Sequence, residues 1–243
     1  MGIALILSGG SGVRLGTDIP KQYIEVYGRI VISYCIEQLL SHPGIDGIQI
    51  VAAPQWHDTI IHSMEQLVSM GIAQETLSKF KGFSMPGENR QLSIYNGLAD
   101  IRGYADDDEI VLIHDAARPM LSPQMITDCL RAVHEHEGVL PSLPMKDTVY
   151  QSTDGKCIGA LLNRSEIYAG QAPEAFRIGP YYEANKCLIP DRILEINGST
   201  EPAVMAGMDI VMIPGDEGNF KITTREDLER FKEIIKQNDK TEG

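Results

Sequence analysis

A glycine-rich turn followed by two cations has the clearest chemistry in this sequence. Gly9, Gly10 and Gly12 follow an apolar run, and a glycine backbone can approach a ligand closely because no Cβ stands in the way. Such a loop after a strand offers backbone N–H groups to phosphate oxygens. Arg14 can hold a phosphate with two parallel hydrogen bonds, and Lys21 adds a mobile point charge. The pattern predicts a triphosphate site whose cations stabilise charge during a reaction.

A carboxylate after another apolar run indicates a partner for that triphosphate. Asp115 follows residues 110–114 and begins the motif Asp-Ala-Ala-Arg-Pro. A carboxylate at the end of a strand, beside a triphosphate loop, suits Mg²⁺, which would neutralise phosphate charge. The alternative is that Asp115 caps a helix or pairs with Arg118. A third segment, containing Gly87, Glu88 and Ser93, precedes a helical pattern, and a plain helix start is its alternative reading.

The elements that must position these residues alternate between strand and helix patterns. The predicted strands are 3–7, 48–53, 110–114, 139–143 and 210–213, and the predicted helices are 30–40, 57–70, 91–101, 123–136, 181–188 and 225–235. This alternation predicts an α/β fold with a mostly parallel sheet and helices on both faces. Ligands of such sheets bind beyond the carboxyl ends of the strands, so the glycine-rich loop and Asp115 are expected to share one site.

Residues 146–170 interrupt the alternation. Segments 148–150 and 158–162 could form two strands around an Asp-Gly turn, which favours a hairpin. Further on, Thr224 and Asp227 have the spacing of a helix-capping box. We expect one domain over residues 1–243 with a projecting arm at about 146–170.

The composition limits the class of protein. With a formal net charge of −13 over 243 residues, the chain lacks the basic character that a general nucleic-acid binder needs, although a few local cations suffice for a nucleotide. No apolar stretch is long enough to span a bilayer, and no cleavage-site pattern follows the apolar start. The four cysteines form no C-x-x-C pair. These observations predict a cytoplasmic protein with no membrane partner.

Two other nucleotide-binding loops fit the glycines less well. The third glycine is misplaced for a G-x-G-x-x-G dinucleotide site, and Val51-Ala52-Ala53 offers no acid to hold a ribose. No Gly-Lys-Ser/Thr follows the loop, which excludes a Walker A motif.

The glycine-rich stretch, together with Pro20-Lys21-Gln22-Tyr23, resembles nucleotidyltransferases that activate sugar and alditol phosphates. It is most similar to the cytidylyltransferases that make CDP-methylerythritol or CDP-ribitol from CTP. The resemblance implies a Rossmann-like fold, Mg²⁺ bound at Asp115, and a β-arm that reaches across a homodimer. It also implies a set of CTP-binding residues: Ser8, Gly9, Gly10, Gly12, Gly87, Glu88, Ser93, Asp115 and Ala116.

The same resemblance implies catalytic roles for Arg14, Lys21, Arg164 and Lys221, and acceptor binding by Thr148, Arg164 and Lys221, with Arg164 supplied by the partner subunit. The motif Asp-Ala-Ala-Arg-Pro favours 2-C-methyl-D-erythritol 4-phosphate as acceptor, whereas the motif Tyr-Ala-Gly-Gln at 168–171 favours ribitol 5-phosphate. Another alditol or sugar phosphate, and a non-catalytic nucleotide-binding protein, are the remaining alternatives.

Departures from the family pattern fall on the acceptor side. The family usually has Gln-Thr-Pro-Gln at 171–174, where this chain has Ala172 and Glu174. Tyr150 and Gly218 likewise replace a lysine and an acid that family members often carry.

Overall fold

The computed structural model describes residues 1–10 and 19–241. The strands are β1 Gly2–Leu7, β2 Glu25–Val26, β3 Arg29–Ile30, β4 Gly47–Val51, β5 Phe80–Ser84, β6 Ile110–Asp115, β7 Gly138–Pro144, β8 Tyr150–Gln151, β9 Ala160–Leu161, β10 Tyr168–Gly170, β11 Glu174–Arg177 and β12 Ile210–Pro214. The α-helices are α1 Val31–Ser41, α2 His57–Ser69, α3 Arg90–Ile101, α4 Pro123–Glu135, α5 Ile178–Lys186, α6 Glu201–Met205 and α7 Arg225–Thr241.

Eight strands of the described chain form one mixed, mainly parallel sheet. β1 lies between β4 and β6 and is parallel to both, and β5 extends the sheet beyond β4. β11 is antiparallel to β6 and to β7, so β6 and β7 run in the same direction, and β12 is parallel to β7. Only β10 and β11, which lie in series along one side of β7, run against the other strands of this described sheet.

Helices cover both faces of the sheet because side chains alternate along each buried strand. From β1, Ala4 and Ile6 belong to a core shared with α1, α2 and α4. Ile3 and Leu5 belong to a second core shared with α3 and α5. A third, smaller cluster packs α7 against α1 through Phe231. The predicted α/β fold with two covered faces is confirmed.

The predicted elements match the structure to within a few residues, but several described elements were not predicted, among them the two-residue strands β2 and β3. β5 was not predicted, because its polar and glycine residues interrupt the apolar run. β10 and β11 were not predicted either, and β10 places residues 168–170 in the central sheet although the sequence assigned them to the arm. The short helix α6 was also missed.

The predicted arm contains a short antiparallel pair in which β8 contacts β9. Asp154 closes its turn by accepting hydrogen bonds from the backbone N–H groups of Lys156 and Cys157. At the other end of the chain, the predicted capping box of α7 is present: Asp227 accepts from the Thr224 backbone N–H, and Thr224 Oγ1 accepts from that of Asp227. Within the described residues, no helix has both the length and the apolar character needed to cross a membrane.

Candidate active site

A cleft of about 470 Å³ opens at the carboxyl ends of the parallel strands. The register explains its position, because Leu7, the last residue of β1, pairs with Val51 on one side and with Asp115 on the other. The loops that follow β1, β5 and β6 therefore meet. The cleft is lined by Leu7, Gly9, Gly10, Lys21, Gln22, Gly87, Glu88, Asn89, Arg90, Ser93, Asp115, Ala117, Lys221 and Thr223.

Two side chains of the Pro-Lys-Gln-Tyr motif hold the described start of the glycine-rich loop. Gln22 Nε2 donates to the backbone carbonyls of Ser8 and Gly10, at 2.8 Å each. The Tyr23 hydroxyl lies 2.8 Å from Ser8 Oγ and 3.1 Å from the Ser8 carbonyl oxygen. Both side chains are buried, so these bonds are shielded from water. These bonds fix the position of Lys21, which directly precedes Gln22, relative to the loop.

The segment after β5 forms a tight loop that ends in the α3 N-cap. Asn89 Oδ1 accepts from the Leu92 backbone N–H at 2.8 Å, as an N-cap residue does. Ser93 Oγ accepts from the Gly87 backbone N–H at 3.0 Å and donates to the Asn89 carbonyl at 2.8 Å. A Cβ on Gly87 would stand 2.6 Å from the side chain of Leu92, so a glycine is required for this close approach.

Asp115 is the centre of charge in the cleft. Its Oδ1 accepts from Arg90 Nε at 3.2 Å, its Oδ2 accepts from Lys221 Nζ at 2.9 Å, and Arg118 Nε lies 3.7 Å from Oδ2. Burial alone would raise the pKa of Asp115, but Arg90, Lys221 and Arg118 lower it well below its usual range. The carboxylate is therefore ionised throughout the physiological range, and the cations around it outnumber it.

The chain around Lys221 is fixed from both sides. The Ile222 backbone N–H donates to the Ala117 carbonyl at 2.8 Å, which ties this segment to the loop after β6. Arg118 Nη1 donates to the Asn219 carbonyl at 2.7 Å. The Asn219 side chain is buried and donates to the Ala172 carbonyl. These bonds bring Lys221, which is 106 positions away from Asp115 in sequence, into contact with the Asp115 carboxylate.

His114, the neighbour of Asp115, is fully buried, and its Nε2 lies 2.9 Å from the Arg118 carbonyl oxygen. Burial lowers the pKa of His114 to about 4. Between about pH 6.5 and 4 the unfolded chain therefore binds a proton that the folded protein does not, so acidification destabilises the fold. We expect His114 to contribute about 3 kcal/mol to this loss.

Chemical denaturation between pH 7.5 and 4.5 measures this contribution. His114→Gln keeps an Nε2 donor but does not titrate, so its stability is expected to vary less with pH than that of the unmodified protein. His62→Gln, at an exposed position on α2, is the control. Parallel curves for His114→Gln and the unmodified protein would contradict the expectation.

Comparison with known families decides which family the chain belongs to. The family described as 2-C-methyl-D-erythritol 4-phosphate cytidylyltransferase, IspD, matches residues 3–237. The chain belongs to this family. It is a CTP-dependent cytidylyltransferase that acts on an alditol or sugar phosphate, and the family resemblance read from the sequence is confirmed.

IspD-family relatives with two different names align with nearly the whole chain. A ribitol-5-phosphate cytidylyltransferase of Streptococcus agalactiae serotype III (strain NEM316) is 29% identical over 235 residues, covering 96% of this chain and 95% of the relative. A 2-C-methyl-D-erythritol 4-phosphate cytidylyltransferase of Geobacter metallireducens is 32% identical over 237 residues, covering 96% and 97%. The fold agrees with solved structures: the 4-diphosphocytidyl-2C-methyl-D-erythritol synthase of Anaerococcus prevotii has a TM-score of 0.78 at 24% identity, covering 97% of this chain and 96% of that one.

In this IspD-family chain, the cleft brings together most of the predicted site residues that the structure describes. They are Gly9, Gly10, Lys21, Gly87, Glu88, Ser93, Asp115 and Lys221. Ser8 and Ala116 adjoin the cleft but are buried. Gly12 and Arg14 lie outside the described residues.

The two predicted arm residues are not in this cleft. Thr148 and Arg164 are both exposed, and Arg164 Nη1 donates to the Lys146 carbonyl. Lys146 in turn pairs with Glu217, so the base of the arm contacts the loop that leads to Lys221.

Sequence reasoning did not select several residues that shape this IspD-family site. Gln22 and Tyr23 were quoted only as part of a motif, although they hold the glycine-rich loop. No role was assigned to Arg90, and Glu174 was noted only as a departure from the family pattern. Arg90 contacts Asp115, which is 25 positions away in sequence, and Glu174, which is 84 positions away. No local signal predicts such contacts.

The donor set at Asp115 fits Mg²⁺ only together with a triphosphate. No cluster of three or more His, Cys, Asp or Glu side chains occurs among residues 1–10 and 19–241. Mg²⁺ is commonly held by one or two carboxylates plus substrate phosphates, and each Asp115 oxygen keeps a lone pair beyond those used by Arg90 and Lys221. The surrounding cations, however, oppose a dication until phosphate oxygens arrive.

We therefore expect Mg²⁺ to bind weakly or not at all without nucleotide, and tightly in the presence of CTP. Isothermal titration of MgCl₂ into the free protein and into the protein with CTP measures the difference, after subtraction of the heat of Mg²⁺ binding to CTP alone. Tight binding to the free protein would contradict this expectation.

Proposed function

We propose that the enzyme transfers CMP from CTP to 2-C-methyl-D-erythritol 4-phosphate and releases pyrophosphate. The observation that carries this proposal is one cleft in which Lys21, Lys221 and the Asp115 carboxylate adjoin a glycine-rich loop and the Gly87–Ser93 segment. The first loop suits a triphosphate, and the second segment suits the cytosine end of CTP. Arg14, outside the described residues, is proposed to act with Lys21.

The proposed reaction needs no strong general base, because the acceptor is already an anionic phosphate. One of its oxygens bonds to the α-phosphorus of CTP, the bond from that phosphorus to the bridging oxygen breaks, and pyrophosphate leaves with the electron pair. The protein's contribution is positioning and neutralisation of charge, which are the main terms in phosphoryl transfer. Lys21 is proposed to face the phosphates of CTP, and Lys221 the acceptor phosphate. Mg²⁺, held by Asp115 and the triphosphate, would supply further neutralisation.

Ribitol 5-phosphate is the second candidate acceptor. The Streptococcus agalactiae relative carries ribitol 5-phosphate in its name, and the Tyr-Ala-Gly-Gln motif at 168–171 favours the same acceptor. The Asp-Ala-Ala-Arg-Pro motif and the family description favour methylerythritol phosphate. Ala172 gives no hydroxyl on the acceptor side, and its carbonyl is used by Asn219.

Pyrophosphate release with CTP and a panel of acceptors tests the proposal. We expect the highest kcat/KM with 2-C-methyl-D-erythritol 4-phosphate and a lower value with erythritol 4-phosphate, which lacks the methyl group. A higher kcat/KM with ribitol 5-phosphate would overturn the first choice and establish the second. No turnover with any acceptor, alongside CTP binding, would favour a non-catalytic nucleotide-binding protein.

The arm is proposed to complete the acceptor site of a second copy in a homodimer. Its surface carries exposed apolar side chains, which are Tyr150, Ile158, Leu161 and Tyr168. A pair of two-residue strands is at best marginally stable alone in water, so contact with another subunit would stabilise it. Thr148 and Arg164 are exposed on this arm and would face the partner's acceptor phosphate. The rest of residues 1–243 is proposed to form a single domain around the sheet.

Mixing two inactive variants tests the shared site. In a dimer of one Lys21→Ala subunit and one Arg164→Ala subunit, one site has both changes and the other has neither. Random re-association should therefore restore about a quarter of the unmodified activity, because half of the dimers are mixed and each has one intact site. Each variant alone is the control. Active protein that sediments as a monomer, or a mixture with no recovery, would contradict the arrangement.

A further inference from the structure

Glu174 is a buried carboxylate beside the cleft for which the proposed reaction has no use. It begins β11 and lies opposite Ile113 of β6, so it stands close to the end of the strand that carries Asp115. Its Oε1 accepts from the hydroxyl of the buried Ser199. Its Oε2 is buried, has no hydrogen-bond partner within the described chain, and lies 3.5 Å from Arg90 Nη2. A buried carboxylate is costly unless a positive charge compensates it. Burial raises the pKa of Glu174, and Arg90 is the group that opposes this rise by favouring the charged form.

Arg90 is held by two carboxylates, whereas Lys221 is held by one. Arg90 Nε and Nη2 both lie 3.2 Å from Asp115 Oδ1, and Nη2 also faces Glu174. The Lys221 ammonium has its ion pair within the described chain with Asp115 alone. A guanidinium with several fixed donors suits a permanent contact, while a lysine ammonium on a flexible stem can move to another anion.

A closed ring of contacts fixes Glu174 relative to the start of α3. Ser199 holds one Glu174 oxygen, and its carbonyl accepts from the Tyr181 hydroxyl at 2.6 Å. The same hydroxyl accepts from Gln91 Nε2 at 3.1 Å, and Gln91 follows Arg90 in the chain. The backbone of α3 joins Gln91 to Arg90, and Arg90 faces Glu174, which closes the ring. Such a network allows little freedom to the guanidinium.

We infer that Glu174 is a positioning residue that keeps Arg90 on Asp115 when substrates enter the cleft, so that Lys221 is the cation released to substrate phosphate. Phosphate oxygens attract every cation of the cleft, and the second carboxylate makes Arg90 the harder one to displace. Asp115 then retains a counter-charge after Lys221 has moved. This inference rests on the proposed roles of the cleft and of Lys221.

Glu174→Gln tests the inference, because it keeps the shape and the acceptor for Ser199 but removes the charge that faces Arg90. We expect kcat to fall about ten-fold through misplacement of the cations. The KM for CTP should stay the same or decrease, because the cleft loses a negative charge. Arg90→Gln should lower kcat at least as much, and adding Glu174→Gln to Arg90→Gln should cause no further loss. Glu183→Gln, at an exposed carboxylate of α5 that pairs with Arg102, is the control without effect.

Additive losses in the double variant would overturn the inference, as would an increased KM for CTP with unchanged kcat. If Glu174→Gln fails to fold, Ser199→Ala replaces it. That variant keeps the charge but frees one oxygen, and its smaller loss in kcat should also vanish in the Arg90→Gln background; a loss that persists there would overturn the inference. Lys21→Ala, measured in parallel, distinguishes failure of the proposed function from failure of the positioning role of Glu174. If Lys21→Ala leaves turnover intact, the assignment of the cleft fails; if only Glu174→Gln has no effect, the positioning role alone fails.

Discussion

Replacing Lys21 by alanine is expected to lower kcat about 100- to 1000-fold while raising the KM for CTP far less. The ammonium is proposed to act on charge that grows as pyrophosphate departs, and the loss of one such positioned group typically has an effect of this size. Its position supports the role. The neighbouring Gln22 and Tyr23 tie this turn to Ser8 and Gly10, so Lys21 moves with the glycine-rich loop.

Steady-state kinetics with CTP varied at saturating acceptor measures this effect. Lys81→Ala is the matched control, because Lys81 is an exposed lysine on β5 whose ammonium donates to the nearby Ser78 carbonyl. Isothermal titration with CTP gives an independent measure of CTP binding. A loss of ten-fold or less in kcat would contradict the proposed role of Lys21 in stabilising the departing pyrophosphate and would leave it a role in binding alone.

Lys221→Ala is expected to raise the KM for the acceptor about 10- to 100-fold and to leave CTP binding nearly unchanged. A hydrogen bond between charged groups accounts for a change of that size. The structure has Lys221 on Asp115, from which its flexible stem can turn to a phosphate that enters the cleft. The variant also leaves Asp115 paired with Arg90 and Arg118, so the fold is expected to persist.

Kinetics with each substrate varied in turn measures the division between acceptor and CTP. Lys232→Ala, at a half-exposed lysine of α7 that pairs with Glu229, is the matched control. An equal loss of CTP affinity would place Lys221 on the nucleotide side of the reaction and would contradict its proposed role.

The sequence predicted the elements whose signals are local. Apolar runs predicted β1, β4 and β6, helical spacing predicted the larger helices, and the spacing of Thr224 and Asp227 predicted the α7 cap. β5 was missed because Lys81 and Gly82 interrupt its apolar run. β11 was missed because its stability comes from pairing between β6 and β7 rather than from a continuous apolar run. The same limit applies to β10, whose three residues are held in the sheet by pairing with β7.

For the site, residue type and spacing predicted the glycines, Lys21, Asp115 and Lys221, and the fold brings these residues to one cleft. Arg90 and Glu174 were not predicted to act because each has an ordinary local context. Their importance arises only when α3 and β11 meet beside the end of β6, which places one guanidinium between two carboxylates. Pairings between distant elements depend on the packed fold, and a single sequence gives no direct measure of them.

The proposed reaction joins the α-phosphate of CTP to an alditol phosphate. Incubation with Mg²⁺, 2-C-methyl-D-erythritol 4-phosphate and CTP labelled at the α-phosphorus tests it most directly, with the products separated and identified by mass. We expect the label to appear in a CDP-alditol, in an amount equal to the pyrophosphate released, and we expect Lys21→Ala to suppress both. Label found only in CTP and CMP, with ribitol 5-phosphate as well as with methylerythritol phosphate, would contradict it.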